Sequence, residues 1–276
     1  MKNIKITITK YIGLAVLSLG IFSSCGDETN FSPYKESVSE NDALVKFQHT
    51  AIGPDGKNFS AIWYVDDVKT SGATVLSGLP IGTSYGGGYP ASINYSLIPS
   101  GTKNLKVEIP ATATVAASTV FTSPFSIEAK KNYTSFIVGL SPNYTAHTIN
   151  DDLSVTLADP TKAYIRFINV ITNTPATGFD FSIKELNSNA VIYSGVTYLQ
   201  GNEAFIPITP IPDLESATYE IQLRTVGTAT IVAKATLTPR KGRAYTFFSR
   251  GYVGGLSNGL PSATVNIPVL TYFTNK

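Results

Sequence analysis

The chain has 276 residues, with 21 basic and 19 acidic side chains and only 14 % charged residues. That is well under the quarter typical of soluble domains, and no block of like charge is present to capture nucleic acid. A single cysteine excludes any intrachain disulfide, so stability has to come from ordinary apolar cores.

In chain order, the first element is a basic stretch, Lys2, Lys5 and Lys10, followed by an apolar run from Ile12 to Phe22. The run has the length of a signal-peptide core and is short of the roughly 20 apolar residues needed to span a bilayer. It ends in Phe22-Ser23-Ser24-Cys25, which resembles a bacterial lipobox, in the looser form that looks like those of the Bacteroidota. The resemblance implies cleavage before Cys25 and diacylglyceryl transfer to its thiol, with stable anchoring once two or more chains are attached. A plain secretory signal with an incidental cysteine is the competing reading. Loss of residues 1–24 removes three lysines and no acids, leaving 18 basic against 19 acidic residues. Gly26-Asp27-Glu28 is similar to the surface-export signal of such lipoproteins. Residues 25–42 then read as a lipidated tether of about 20–25 Å reach.

From residue 43 the chain reads as all-β. Ala43–His49, Phe59–Asp66, Ala91–Leu97, Leu105–Ile109, Tyr133–Leu140, Ala163–Val170, Thr218–Leu223 and Ala244–Phe248 have period-two character. Turn residues separate them at sandwich-like spacing. Blocks return in order: Ala43-Leu-Val-Lys-Phe47 as Ala163-Tyr-Ile-Arg-Phe167, Ser77-Gly78-Leu79 as Ser194-Gly195-Val196, Leu105-Lys-Val-Glu108 as Tyr219-Glu-Ile-Gln222, and Tyr133-Thr-Ser-Phe-Ile-Val-Gly139 as Tyr245-Thr-Phe-Phe-Ser-Arg-Gly251. The expectation is two tandem domains, 43–159 and 160–276, each an antiparallel β-sandwich.

These blocks resemble the bacterial domain-of-unknown-function 4397 family, in two copies over about residues 43–270. They include the strand Ala163-Tyr-Ile-Arg-Phe-Ile-Asn169 and the closing block Gly242-Arg-Ala-Tyr-Thr-Phe-Phe-Ser-Arg-Gly251. The resemblance implies an exported, Ig-like sandwich and no established activity.

Few residues suggest chemistry. Tyr85-Gly-Gly-Gly-Tyr-Pro90 is the candidate ligand loop, with Tyr85 and Tyr89 stacking on a sugar or anchoring a protein, or else folding back onto the sandwich. Trp63 reads as a buried sandwich tryptophan. His49, at a strand end, and His147, in a loop, have no partner histidine or cysteine nearby in sequence. Asp66-Asp67 and Asp151-Asp152 suit turns or, alternatively, calcium. No catalytic residue, metal or cofactor is expected. The chain is therefore expected to be a lipid-anchored, surface-exposed protein of the outer membrane. It would act as a non-enzymatic binding or adhesion module for glycan or protein, or alternatively as a structural spacer or a hydrolase with an unrecognised carboxylate site.

Overall fold

The computed structural model describes residues 39–71, 75–76, 78–91, 93–184, 190–201, 204–208 and 218–276. The expected signal, Cys25, nearly all of the expected tether and Ser77 lie outside the described residues. Among the described residues, no helix is long and apolar enough to cross a membrane.

The first half runs β1 (Asp42–His49), β2 (Ser60–Val65), β3 (Val68–Lys69), β4 (Val75–Leu76), β5 (Leu79–Pro80) and β6 (Thr83–Ser84). It continues through β7 (Gly88–Tyr89), β8 (Ser96–Pro99), β9 (Gly101–Ile109), β10 (Ser118–Ile127), β11 (Asn132–Leu140) and β12 (Asn143–Asn150). A five-residue helix, α1 (Ser154–Ala158), leads to the second half. That half comprises β13 (Ala163–Asn169), β14 (Phe179–Ile183), β15 (Ala190–Val196), β16 (Ile206–Ile208), β17 (Tyr219–Thr225), β18 (Ile231–Leu237), β19 (Ala244–Arg250) and β20 (Val269–Thr274).

The strands build four main sheets, paired into two sandwich-like halves. In the first half, β12-β11-β1-β7, with β8 also on β1, faces β10-β9-β2-β3, with β6 also on β2. In the second, β16-β13-β19-β20 faces β15-β14-β17-β18. The strand order recurs: β1 and β13 each lie beside a late strand, β11 or β19, which hairpins into β12 or β20.

The expectation of purely antiparallel sheets is corrected here. β1 runs parallel to β11 and β13 runs parallel to β19. A parallel pair needs a long crossover, and in each half the opposite sheet supplies it. Parallel strands are also commonly buried on both faces, and these are: all seven residues of β13 are buried, as are seven of nine in β11.

Alternation along these strands sorts the side chains into two layers. Ala43, Val45 and Phe47 of β1 point into the first core with Trp63, Leu105, Val107 and Phe125. Ala163, Ile165 and Phe167 of β13 point into the second with Phe181, Leu223 and Phe247. The opposite faces of the two parallel pairs are turned toward each other. There Phe136, Val138, Ile149, Ile168, Val170 and Phe248 form a separate apolar cluster between the halves. The Phe136 and Phe248 rings meet edge to face at 5.5 Å, a favoured geometry for aromatic pairs.

Three smaller differences have local causes. The strand expected at Ala91–Leu97 begins only at Ser96, because the Pro90 and Asn94 carbonyls turn to the ammonium of Lys46 instead of a neighbouring strand. His147 lies within β12, opposite Phe136, and not in a loop. The helix α1 is too short to show a helical period in the sequence.

Candidate functional site

The seam between the halves holds the densest polar chemistry of the described residues. Lys46 and Arg166 occupy outward positions of β1 and β13 yet are 1 % and 0 % exposed. Asp151, just after β12, is 2 % exposed and forms an ion pair with the Nη2 of Arg166. Arg166 also donates from Nε to Thr246 Oγ1 (2.9 Å) and from Nη1 to the Asn150 carbonyl (2.8 Å), and its guanidinium lies 4.4 Å from the Phe205 ring centre. The second carboxylate oxygen of Asp151 accepts from Tyr95 (2.8 Å), Thr134 (2.7 Å) and Asn275 (3.2 Å). Burial, and then the negative charge of Asp151, push the Tyr95 phenol well above its ordinary range, so it serves as a donor.

Lys46 is held differently. Its Nζ donates to the carbonyls of Asn94 (2.8 Å) and Pro90 (3.4 Å) and lies over the Tyr95 and Phe273 rings at 5.0 and 5.6 Å. Burial lowers its pKa to about 8, against the opposing pull of Asp151. Beside it opens a cavity of about 220 Å³ walled by Lys46, Gln48, Gly88 and Pro90 from the first half and Phe248, Thr271 and Phe273 from the second.

The glycine-rich loop belongs to this seam. β7 pairs with β1, Gly88 opposite Gln48 and Tyr89 opposite Phe47. Tyr89 packs against the first core. Tyr85 is half-buried, its ring 5.9 Å from His49 and 4.6 Å from the guanidinium carbon of Arg250 in the second half. The two rings thus fold back onto the protein, the alternative in which they do not stand free. Gly86 has φ +83°, and a Cβ there would sit 2.8 Å from the Arg250 guanidinium. The glycines are needed because cation and carboxamide lie directly on the backbone.

A second, more open groove of about 640 Å³ runs beside β15, lined by Tyr193, Ser194, Gly195, Leu199, Gln200 and Gly201 among others. Among the described residues, its lining contains no charged side chain. β15 is the terminal strand of its sheet among the described residues. Asp180 shapes this wall from behind, accepting from Ser194 Oγ (2.7 Å), Gly195 N (3.1 Å) and Gly227 N (2.8 Å). Burial opposes its ionisation, but these three donors outweigh it and hold the carboxyl below the usual range.

Trp63 is 1 % exposed in the first core, 5.6 Å from Phe47. His49 is fully buried, its Nε2 2.9 Å from the Phe59 carbonyl oxygen. Asp66 and Asp67 have φ of 50° and 62° and form the tight turn between β2 and β3. They pair with Lys103 and Lys106 respectively. Asp152 accepts from the Ser154 N–H at the start of α1. Among the described residues, His, Cys, Asp and Glu nowhere gather in a group of three. Lys46, Gln48 and Asp180 were not singled out from sequence. Asp180 carried one signal, an acid set between Phe179 and Phe181 in an apolar strand.

Residues 40–179 match the domain of unknown function DUF4397. The chain belongs to that family. The match spans the first half and β13 and ends at the first residue of β14; the rest of the second half has no family match. No curated protein matches the chain. Among solved structures, a protein from Bacteroides eggerthii assigned provisionally to cell adhesion aligns over 86 % of this chain and 98 % of its own, at 11 % identity. Its TM-score of 0.19 is too low to carry an argument.

Proposed function

We propose that this DUF4397 protein is lipid-anchored through Cys25 on the outer face of the cell envelope and serves there as a non-enzymatic binding or adhesion module. The groove beside β15 is its binding face, and the second half is a further copy of the family domain, a reading supported by the recurring strand order.

The observation that carries the binding role is the groove itself. It is open, preformed and lined, among the described residues, by a tyrosine, a carboxamide, a hydroxyl and glycine backbone without a charge. Such a lining recognises neutral hydrogen-bonding ligands with apolar faces, as glycan chains and extended peptides have. Gln200 is exposed in it, so changing Gln200 alters the groove without touching a core.

The test is a neutral-glycan panel and capture from envelope extracts, run with the mature protein and with Gln200→Trp, which fills the groove. A ligand that binds the first and not the second supports the reading. Empty screens, or capture indifferent to the substitution, would remove it. A spacer role is the second reading, favoured by the buried seam that joins the halves. It predicts that neither form binds a ligand.

A further inference from the structure

The seam cavity is separate from the β15 groove and shares no residue with it. Its volume of about 220 Å³ is roughly seven times the ~30 Å³ share of one water and lies below the ~300–1,000 Å³ of drug-sized pockets. It therefore suits a guest of one ring. The walls come from strands of two sheets that are elsewhere closely packed, together with Gly86, Pro90 and Ala91 of the loops on either side of β7.

Gln48 shows what the space lacks. The residue is 4 % exposed and lines the cavity, and its carboxamide makes no hydrogen bond to a described residue. A carboxamide on a cavity wall is open to whatever fills the cavity. This one lies flat on Gly88, where a Cβ would stand 2.2 Å from Nε2, so the absence of a side chain at Gly88 is what admits it. A carboxamide offers a donor and an acceptor side by side, which matches neighbouring hydroxyls on a ring. The hydroxyl-bearing Thr271 stands in the wall opposite.

The electrostatics have a sign. Lys46 is the charged residue of the lining, and Arg250 lies behind Gly86. The seam carboxylate, Asp151, is already engaged by Arg166, Thr134, Tyr95 and Asn275. The local bias is positive and favours an anion. Phe248 and Phe273, 5.9 Å apart, give the apolar surface on which the C–H face of a sugar stacks.

We propose that the cavity between Lys46, Gln48, Thr271 and Phe273 is a binding site for a single acidic sugar residue, free or at the end of a glycan. The carboxylate lies toward Lys46, the ring hydroxyls meet Gln48 and Thr271, and one ring face rests on Phe273. The site is distinct from the groove and stands or falls without it.

The experiment is a titration of the mature protein with glucuronate, glucose and acetate, followed by calorimetry and by protein-observed NMR. Glucuronate should bind saturably, with glucose and acetate each at least about tenfold weaker, a difference of ~1.4 kcal/mol. Gln48→Leu and Thr271→Val should each weaken glucuronate by a similar factor, while the groove variant Gln200→Trp leaves it unchanged. Failure of glucuronate to saturate would mean that water alone fills the cavity, and would overturn the proposal. So would equal binding of glucose, or glucuronate binding that both seam variants leave intact. Two variants on opposite walls guard against one of them merely misfolding.

Discussion

Lys46 and Arg166 are the same position used twice. Each is an outward residue of the first strand of its half, and each lies opposite a threonine on the parallel neighbour, Lys46 by Thr134 and Arg166 by Thr246. On an ordinary sandwich both would face water. Here both are buried, because the two outward faces cover each other. They then diverge: Arg166 takes Asp151, and Lys46 takes backbone carbonyls.

The Arg166–Asp151 pair should be costly to break from one side. Asp151→Asn leaves a guanidinium buried without its counter-charge, for an expected loss of about 3–5 kcal/mol in urea denaturation. Adding Arg166→Met should restore much of it. A double variant no more stable than Asp151→Asn would show that the pair is not what holds this region.

The aromatic contact across the seam should be measurable as coupling. Phe136→Ala and Phe248→Ala should each cost about 3–5 kcal/mol, with an interaction term of about 0.5–1.5 kcal/mol in a double-mutant cycle. Strict additivity would mean that the halves do not meet there in solution.

His49 sets an acid limit. Burial lowers its pKa from 6.5 to about 4, helped by the positive charge of Arg250 and opposed by the bond to the Phe59 carbonyl. The unfolded chain therefore binds the proton first. This contribution to stability is fully present above pH 6.5 and is lost as pH falls toward 4, by roughly 3 kcal/mol in all. His49→Asn, which copies Asn169 at the end of β13, should flatten that part of the stability–pH curve. An unchanged slope between pH 6.5 and 4 would assign the acid sensitivity elsewhere.

Cys25→Ser should abolish incorporation of labelled fatty acid and move the protein from the membrane fraction to the soluble one. Labelling that persisted in the variant would refute lipidation at this residue.

The inward residues were readable because alternation marks them: Val45, Phe47, Trp63, Ile165 and Phe167 all sit in the cores their period implies. The outward residues were not. Lys46, Gln48, Thr134 and Arg166 look like solvent positions, since a local pattern carries no record of a second sheet pressed against them. The parallel pairing was hidden for the same reason, as its partners are 80 or more residues apart. The Tyr85–Pro90 loop was conspicuous, but its glycines answer to Gln48 and Arg250, side chains far away in sequence. Asp151 resembled a turn residue because three of its partners, Tyr95, Arg166 and Asn275, come from remote strands and loops.

The register of β11 has a mechanical consequence. Its first residues lie beside the start of β1 on one side and the end of β12 on the other, Leu44 by Asn132 and Asn150 by Tyr133. The chain thus enters and leaves the first half at the same end of one sheet. A pull between the N-terminal side and the second half crosses only the β1–β11–β12 ladders, and β2, β9 and β10 lie outside the line of tension. The first half would yield, under force, by parting those two ladders at one edge, long before its opposite sheet felt any load.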